Sequence, residues 1–335
     1  MHKDPSSKNV STGEYSVSDL IKSLPEFEKK GITEVILHGE SLSRDKRQIS
    51  ELVDSVLENY PELFISIPLD VNILDQSLAD KLYSLNVSIE IPLKGIVKNG
   101  NLLFDKKLYS GRAKLLNERG MVFGFSLSFA SQDGDSFKAF RDRLSFAISL
   151  YPNHIDFPQF EENPFPKSTG FFSSKDIEFA REMAFACRTF YTCGRAVPWF
   201  LSALKALKMD ATSFFADFSE WQQCSSCSFD SLFLPEDSSH AEIEKMQLTF
   251  LKEKFEEKHK EDLFPVMNDI VRLNGAFSRL AGEGEVSVIK TSYNPDDILS
   301  PLSLDIARFA DEVTLEESSV KIFENEGQVD YKILS

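Results

Sequence analysis

Cysteine is scarce and unevenly placed in this 335-residue sequence: Cys187, Cys193, Cys224 and Cys227 are the whole set, and residues 1–186 contain none. So few thiols in a chain of this length exclude a disulfide-built scaffold and fit a reducing compartment. Positive charge is short as well, with 37 Lys and Arg against 53 Asp and Glu, a net charge of -16. Phosphate contacts need clustered cations, so a nucleic-acid surface is excluded. No apolar run approaches the roughly 18 residues that span a bilayer. The opening Met1–Ser7 lacks the apolar stretch of a signal peptide. The expectation is a cytoplasmic protein that touches neither membrane nor nucleic acid. What the sequence does have is core material: 42% hydrophobic residues and 29 Phe.

Residues 1–16 are polar and read as a flexible leader. A regular alternation follows. Leu20, Ile21, Leu24 and Phe27 recur at helical spacing, Gly31 ends that helix, and Glu34–Leu37 reads as a buried strand. Ile49, Leu52, Val53, Val56 and Leu57 mark the clearest helix, stopped at Pro61. Strands are then predicted at Leu63–Ile67, Val87–Ile91, Met121–Leu127 and His154–Phe157, with helices at Gln76–Leu85, Lys106–Arg119 and Asp135–Leu150 between them. Strands about 25–35 residues apart with helical crossovers imply parallel βαβ units. Near-continuous apolar strands imply a sheet covered by helices. Beyond a Pro- and Phe-rich loop, Gln159–Phe172, the chain turns helical. Helices are predicted at Ser174–Arg188, Pro198–Lys208, Thr212–Glu220 and Leu263–Leu280, a capping box at Ser239 and Glu242 opens another, and a strand lies at Val286–Thr291. The predicted fold is α/β: a leader at 1–16, an incomplete parallel (β/α) barrel of five strands at 17–230, and a C-terminal helical and small α+β region at 231–335.

Several residues have chemistry to offer. His154 and Asp156 stand two apart on one strand face, where the carboxylate would orient the imidazole for acid–base work or simply hydrogen-bond it at the barrel rim. Ser88 and Glu90 alternate along one strand, as do Ser126 and Ser128 along the next, and inward polar groups on parallel strands require partners. Arg195, between Gly194 and Ala196, would bind a carboxylate or phosphate, or serve a helix cap or ion pair. Cys224 and Cys227 form a C-x-x-C, and with Cys187 and Cys193 would supply four thiolates for zinc or a redox pair. Against that, Cys187 falls on an apolar helix face, where a thiol acts as a small hydrophobe, and the two pairs are unequally spaced. No metal is expected.

Three stretches, Gly31–Glu40, Asn117–Phe125 and Leu150–Pro158, together with Phe190–Phe200 and Tyr293–Asp297, resemble the radical S-adenosylmethionine superfamily, in particular its cobalamin-associated branch. The resemblance is patchy but collinear over residues 17–315. It implies a six-stranded partial barrel whose first strand leads into a loop holding an iron–sulfur cluster on three close cysteines. Thiolates hold such clusters, and this sequence offers none before Cys187. This chain alone is therefore expected not to bind the cluster, and the five strands match the family's remaining five. The resemblance further implies that Gly39 and Glu40 contact the amino group of S-adenosylmethionine, and that Ser88, Glu90 and Ser126 lie toward its ribose and methionine. A sheet without its first strand leaves an open edge, to be covered by the leader, by self-association or by a protein partner. The function expected is an inactive or partner-dependent barrel of this type. The alternative is an enzyme subunit whose cluster and cobalamin parts come from another chain.

Overall fold

The structure is a computed structural model that describes residues 7–11, 17–38, 40–99, 101–131, 134–160 and 166–334; for 7–11, 40, 41 and 101 the backbone alone is described. The chain divides into two units, Met1–Ala180 and Arg181–Ser335.

In the first unit, strands β1 (Ser7–Ser11), β2 (Glu34–His38), β3 (Phe64–Pro68) and β4 (Val87–Pro92) are followed by a hairpin, β5 (Ile96–Lys98) and β6 (Asn101–Leu103), and then by β7 (Val122–Ser126) and β8 (His154–Asp156). The main sheet runs β1-β2-β3-β4-β7-β8 with every neighbouring pair parallel. Strand order never reverses. The crossover helices stand side by side in the same sequence: Val17–Lys29 on Lys46–Asn59, that on Gln76–Leu82, and that on Lys106–Asn117. This is the winding of a partial (β/α) barrel and not of a doubly wound sheet. The helix starts are written locally. Asp45, Asp75, Asp105 and Ser136 each accept backbone N–H bonds from the first turn of the helix they precede, satisfying donors the helix itself cannot. Gly31, with φ +68, takes the left-handed turn that ends the first helix.

Three expectations are corrected here. Residues 1–16 are not all leader: Ser7–Ser11 forms a strand on the free edge of β2, in register from Ser7 opposite Glu34 to Ser11 opposite His38. The sheet therefore has six strands where the sequence predicts five. The polar composition of Ser7–Ser11 hid a strand whose ladder comes from the backbone. The strands are also not apolar on both sides. Val35, Leu37, Ile65, Ile67, Ile89, Ile91, Phe123, Phe125 and Ile155 are all buried on one face, while residues at the alternate positions, among them Ser66, Glu90, Ser126, His154 and Asp156, are partly open. One face is sealed by helices; the other is a half-open polar floor.

The division after Ala180 also differs from the predicted boundary near residue 230. The cause is aromatic packing. Phe190 lies 4.8 Å from Phe214 and 4.9 Å from Phe218, ring centre to ring centre. Phe250 lies 5.2 Å from Phe214 and 5.0 Å from Phe218. These T-shaped contacts bind the π-helical turn Arg188–Cys193 and the helix Ala211–Cys224 to the helix His240–Glu257. The segment 188–227 thus belongs with the C-terminal unit. That helix from Ala211 has 14 residues, longer than the short one predicted, and the capping box at Ser239 and Glu242 is formed as the sequence predicts. The unit ends in an antiparallel sheet of β9 (Ser287–Thr291), β10 (Ser318–Asn325) and β11 (Gln328–Leu334), in the order β11-β10-β9. No helix among the described residues is long and apolar enough to cross a membrane.

Candidate functional site

Register decides what meets on the open face of the first unit. Glu90 on β4 is opposite Gly124 on β7, and Gly124 is opposite His154 on β8. One step along, Pro92, Ser126 and Asp156 form the next row. Side chains on alternate positions share a face, so Glu90, His154 and Asp156 all rise from the same floor. Two strands that are not neighbours rarely exchange side-chain bonds across the strand between them. Here the strand between carries glycine at the crossing point, and a Cβ at residue 124 would run into the His154 imidazole. The missing side chain opens a path over β7. Through it, His154 Nε2 reaches Glu90 Oε2 at 2.8 Å. Asp156 Oδ2 stands 3.5 Å from the same nitrogen.

The environment sets the charges. Glu90 and His154 side chains are 20% and 21% exposed, and Asp156 is half exposed. Burial pushes the Glu90 carboxyl up to about 7; the hydrogen bond with His154 opposes that push and the Asp156 charge adds to it. Burial alone would lower His154, but its hydrogen bond with Glu90, then the charges of Glu90 and Asp156, carry it above its ordinary value. The two groups are raised together and titrate as a pair. Glu90 Oε1 is shielded from solvent and accepts no hydrogen bond, which is costly for a carboxylate oxygen unless something else meets it. The arrangement is equipped to move a proton or to hold a cation.

Other residues singled out in the sequence are placed as follows. Ser88 is buried on β4, one pleat before Glu90, and Ser126 shares the row of Asp156. Gly39 lies outside the described residues. Glu40 opens a single helical turn, Glu40–Ser43, directly after the β2 edge, and its side chain lies outside the description. Arg195 is in the other unit, where its guanidinium donates to the carbonyl and hydroxyl of Ser278 at 3.0 Å each and pairs with Glu283 at the end of the helix Phe264–Glu283. That is the capping and ion-pair role. The four cysteines remain thiols. Cys187 is buried, Cys227 Sγ donates to the Ser225 carbonyl, and Cys193 stands by Glu236. Among the described residues the only group of three or more potential metal ligands is Glu90, His154 and Asp156, so the thiols do not assemble into one. Gly124 is the residue that sequence reasoning missed. An isolated glycine inside a strand was its signal.

Neither a protein-family profile nor a curated protein matches the chain. Among solved structures, the chain is similar to the radical S-adenosylmethionine methyltransferase TsrM from Kitasatospora setae with cobalamin and a 4Fe-4S cluster bound, at 14% identity and a TM-score of 0.34, covering 42% of this chain and 28% of that one. A second structure of the same enzyme, with tryptophan substrate and the S-adenosylmethionine analogue aza-SAM bound, gives 14% identity and a TM-score of 0.34, covering 42% and 30%. The matched part is less than a third of the length of those chains.

Proposed function

We propose that this chain is a barrel of the radical S-adenosylmethionine type that carries no iron–sulfur cluster of its own and is inactive in radical initiation or completed by a partner. One observation carries the reading. Strand β1 supplies the first position of a six-stranded parallel sheet, and only residues 12–16, Thr-Gly-Glu-Tyr-Ser, separate it from the next helix. The segment after the first strand is where the resemblance puts the cluster, and it holds no thiolate. The four thiols of the other unit do not gather either. The residues present therefore do not fit a cluster. S-adenosylmethionine is a better match: an acidic floor with Glu90, Asp156 and the hydroxyls of Ser88 and Ser126 offers partners for an ammonium, a sulfonium and a ribose.

The test is anaerobic titration calorimetry of the purified protein with S-adenosylmethionine and S-adenosylhomocysteine. Saturable binding, weakened at least tenfold by Ser126→Ala or Glu40→Ala, is the expected result. No heat with either ligand would end the cofactor reading. Co-purification of an iron-bearing second chain would favour the partner-dependent form; iron-free protein that binds the ligand would favour the inactive one. A second reading rests on the 2.8 Å contact between His154 and Glu90: an acid–base enzyme that needs no S-adenosylmethionine, in which Glu90 and Asp156 orient His154.

A further inference from the structure

We propose that Glu90, His154 and Asp156 bind one divalent transition-metal ion, with coordination positions left open toward the half-exposed face. The proposal shares Glu90 and Asp156 with the cofactor reading above but does not rest on it: the ion needs only these three side chains and is tested without S-adenosylmethionine. Their donor atoms, one imidazole nitrogen and two carboxylate oxygens, all lie within 4.8 Å of one another. Bonds of about 2.0–2.2 Å to a common ion place neighbouring donors about 3.0–3.5 Å apart. The separations of His154 Nε2 from Glu90 Oε2, 2.8 Å, and from Asp156 Oδ2, 3.5 Å, bracket that range. The two His154 pairs need only a few tenths of an ångström of movement, and the Glu90 and Asp156 oxygens, within 4.8 Å of each other, close on the ion by side-chain rotation.

Three further features point the same way. Glu90 Oε1 is buried without a hydrogen-bond partner, and bidentate binding of the ion by that carboxylate would occupy it. Gly124 removes the one side chain that would stand between β4 and β8, so the gap is a property of the sequence and not of a rotamer. The three donors are held by parallel strands, elements that keep ligands in place better than loops do. Imidazole with carboxylates suits Zn²⁺, Fe²⁺ or Mn²⁺ more than Mg²⁺, and the affinity order is expected to follow Mn²⁺ < Fe²⁺ < Zn²⁺. Three protein ligands leave at least one place for water, the pattern of a site that does chemistry and not of a closed structural one.

The experiment uses the full chain, stripped with chelator, carrying Cys193→Ser, Cys224→Ser and Cys227→Ser so that accessible thiols cannot hold the probe. Zn²⁺ and Mn²⁺ are titrated calorimetrically, and Co²⁺ is followed by its visible spectrum. The expected result is one equivalent of Zn²⁺, bound more tightly than Mn²⁺, and a Co²⁺ spectrum without thiolate charge-transfer bands. His154→Gln and Glu90→Gln should each weaken Zn²⁺ at least tenfold while leaving the metal-free circular dichroism unchanged. Gly124→Ala should weaken it too, by turning the imidazole away with all three ligands intact. The proposal is overturned if the thiol-poor protein takes up no Zn²⁺, or if uptake is the same in His154→Gln and Glu90→Gln as in the parent. It is overturned equally if Gly124→Ala, shown folded by the same spectrum, binds as well as the parent.

Discussion

His154 and His240 sit among charged neighbours in the two units, and they are treated in opposite ways. His240, on the helix His240–Glu257, has both nitrogens committed to the neutral ring. Nε2 donates to the Gly194 carbonyl at 3.3 Å, and Nδ1 accepts from Arg279 at 3.1 Å. Arg279 in turn donates to Glu244 at 2.6 Å, and Gln247 donates to the carbonyls of Phe190 and Gly194. Burial first, then the charges of Arg195 and Arg279, bring His240 down to about 4. A second ring proton would point Nδ1–H at the Arg279 donor. His154 faces carboxylates instead, is raised rather than lowered, and leaves an oxygen of its partner Glu90 unsatisfied. Around His240 both ring nitrogens are locked into packing. At His154 the partner carboxylate Glu90 keeps an oxygen with bonding capacity left over, which is what a ligand site needs.

The largest effect should come from breaking the locked side of that contrast. Phe190→Ala removes a ring packed on Phe214, Phe218, Phe200 and Trp199. Deleting a fully buried aromatic side chain costs about 3–5 kcal/mol, so chemical denaturation should show the second unit melting far earlier. Glu90–His154 chemistry, read by Zn²⁺ uptake in the folded baseline, should be untouched. Next is acid. A histidine whose pKa falls on folding contributes nothing adverse above its unfolded value of 6.5, and its protonation in the unfolded chain pulls stability down as pH falls toward 4. Stability should therefore drop between pH 6.5 and 4 by at most about 3 kcal/mol from His240. His240→Gln, which keeps a donor to Gly194, should flatten that limb of a stability–pH curve. An unchanged slope in the variant would mean that other groups carry the acid sensitivity.

The sequence revealed most of what periodicity and capping control. Strands β2, β3, β4, β7 and β8 lie within a residue or two of their predicted spans, because short apolar runs between helical repeats, with Gly and Pro stops, are local signals. Strand β1 was not legible, since its residues Ser-Lys-Asn-Val-Ser hold no apolar pattern and its pairing comes from an edge 23 residues further on. The strands β5 and β11 went unread for a similar reason: their residues are exposed or only partly buried, so no alternation of burial marks them. In β10 the alternation is limited to Val320 and Ile322, too short a signal between polar flanks. At the site, His154 with Asp156 was readable from spacing alone. Glu90 was read separately, as a contact for a cofactor. What joined the two was register across three strands and the absence of a side chain at Gly124. Neither is visible without knowing that β4, β7 and β8 are neighbours.

Two smaller effects sharpen the open side of the comparison. Glu90 is raised on folding, so its contribution favours the folded chain at low pH and is lost as pH rises from about 4.5 through about 7. His154, also raised, works in the same direction. The metal-free first unit should thus lose stability over the range in which the second unit regains it. Glu90→Gln removes the ionisation while keeping the shape, and should restore on the order of 1 kcal/mol at pH 8. A variant less stable than the parent at pH 8 would mean that the ionised carboxylate is already well satisfied, and the orphan oxygen would lose its significance.

The smallest perturbation is the most telling. Gly124→Ala adds one methyl group at a strand position where the nearest obstacle is the end of a movable ring, the His154 imidazole, and its backbone needs no left-handed angle. Stability should change by less than about 1 kcal/mol, because a β-strand tolerates Ala for Gly and the sealed apolar face is not involved. The imidazole, however, must swing off Glu90. Its NMR titration should then shift down from the raised value toward or below the ordinary histidine range, since burial remains while the carboxylate that offset it is gone. If the titration of His154 does not move, the ring never crossed β7, and Glu90 and His154 belong to separate sites.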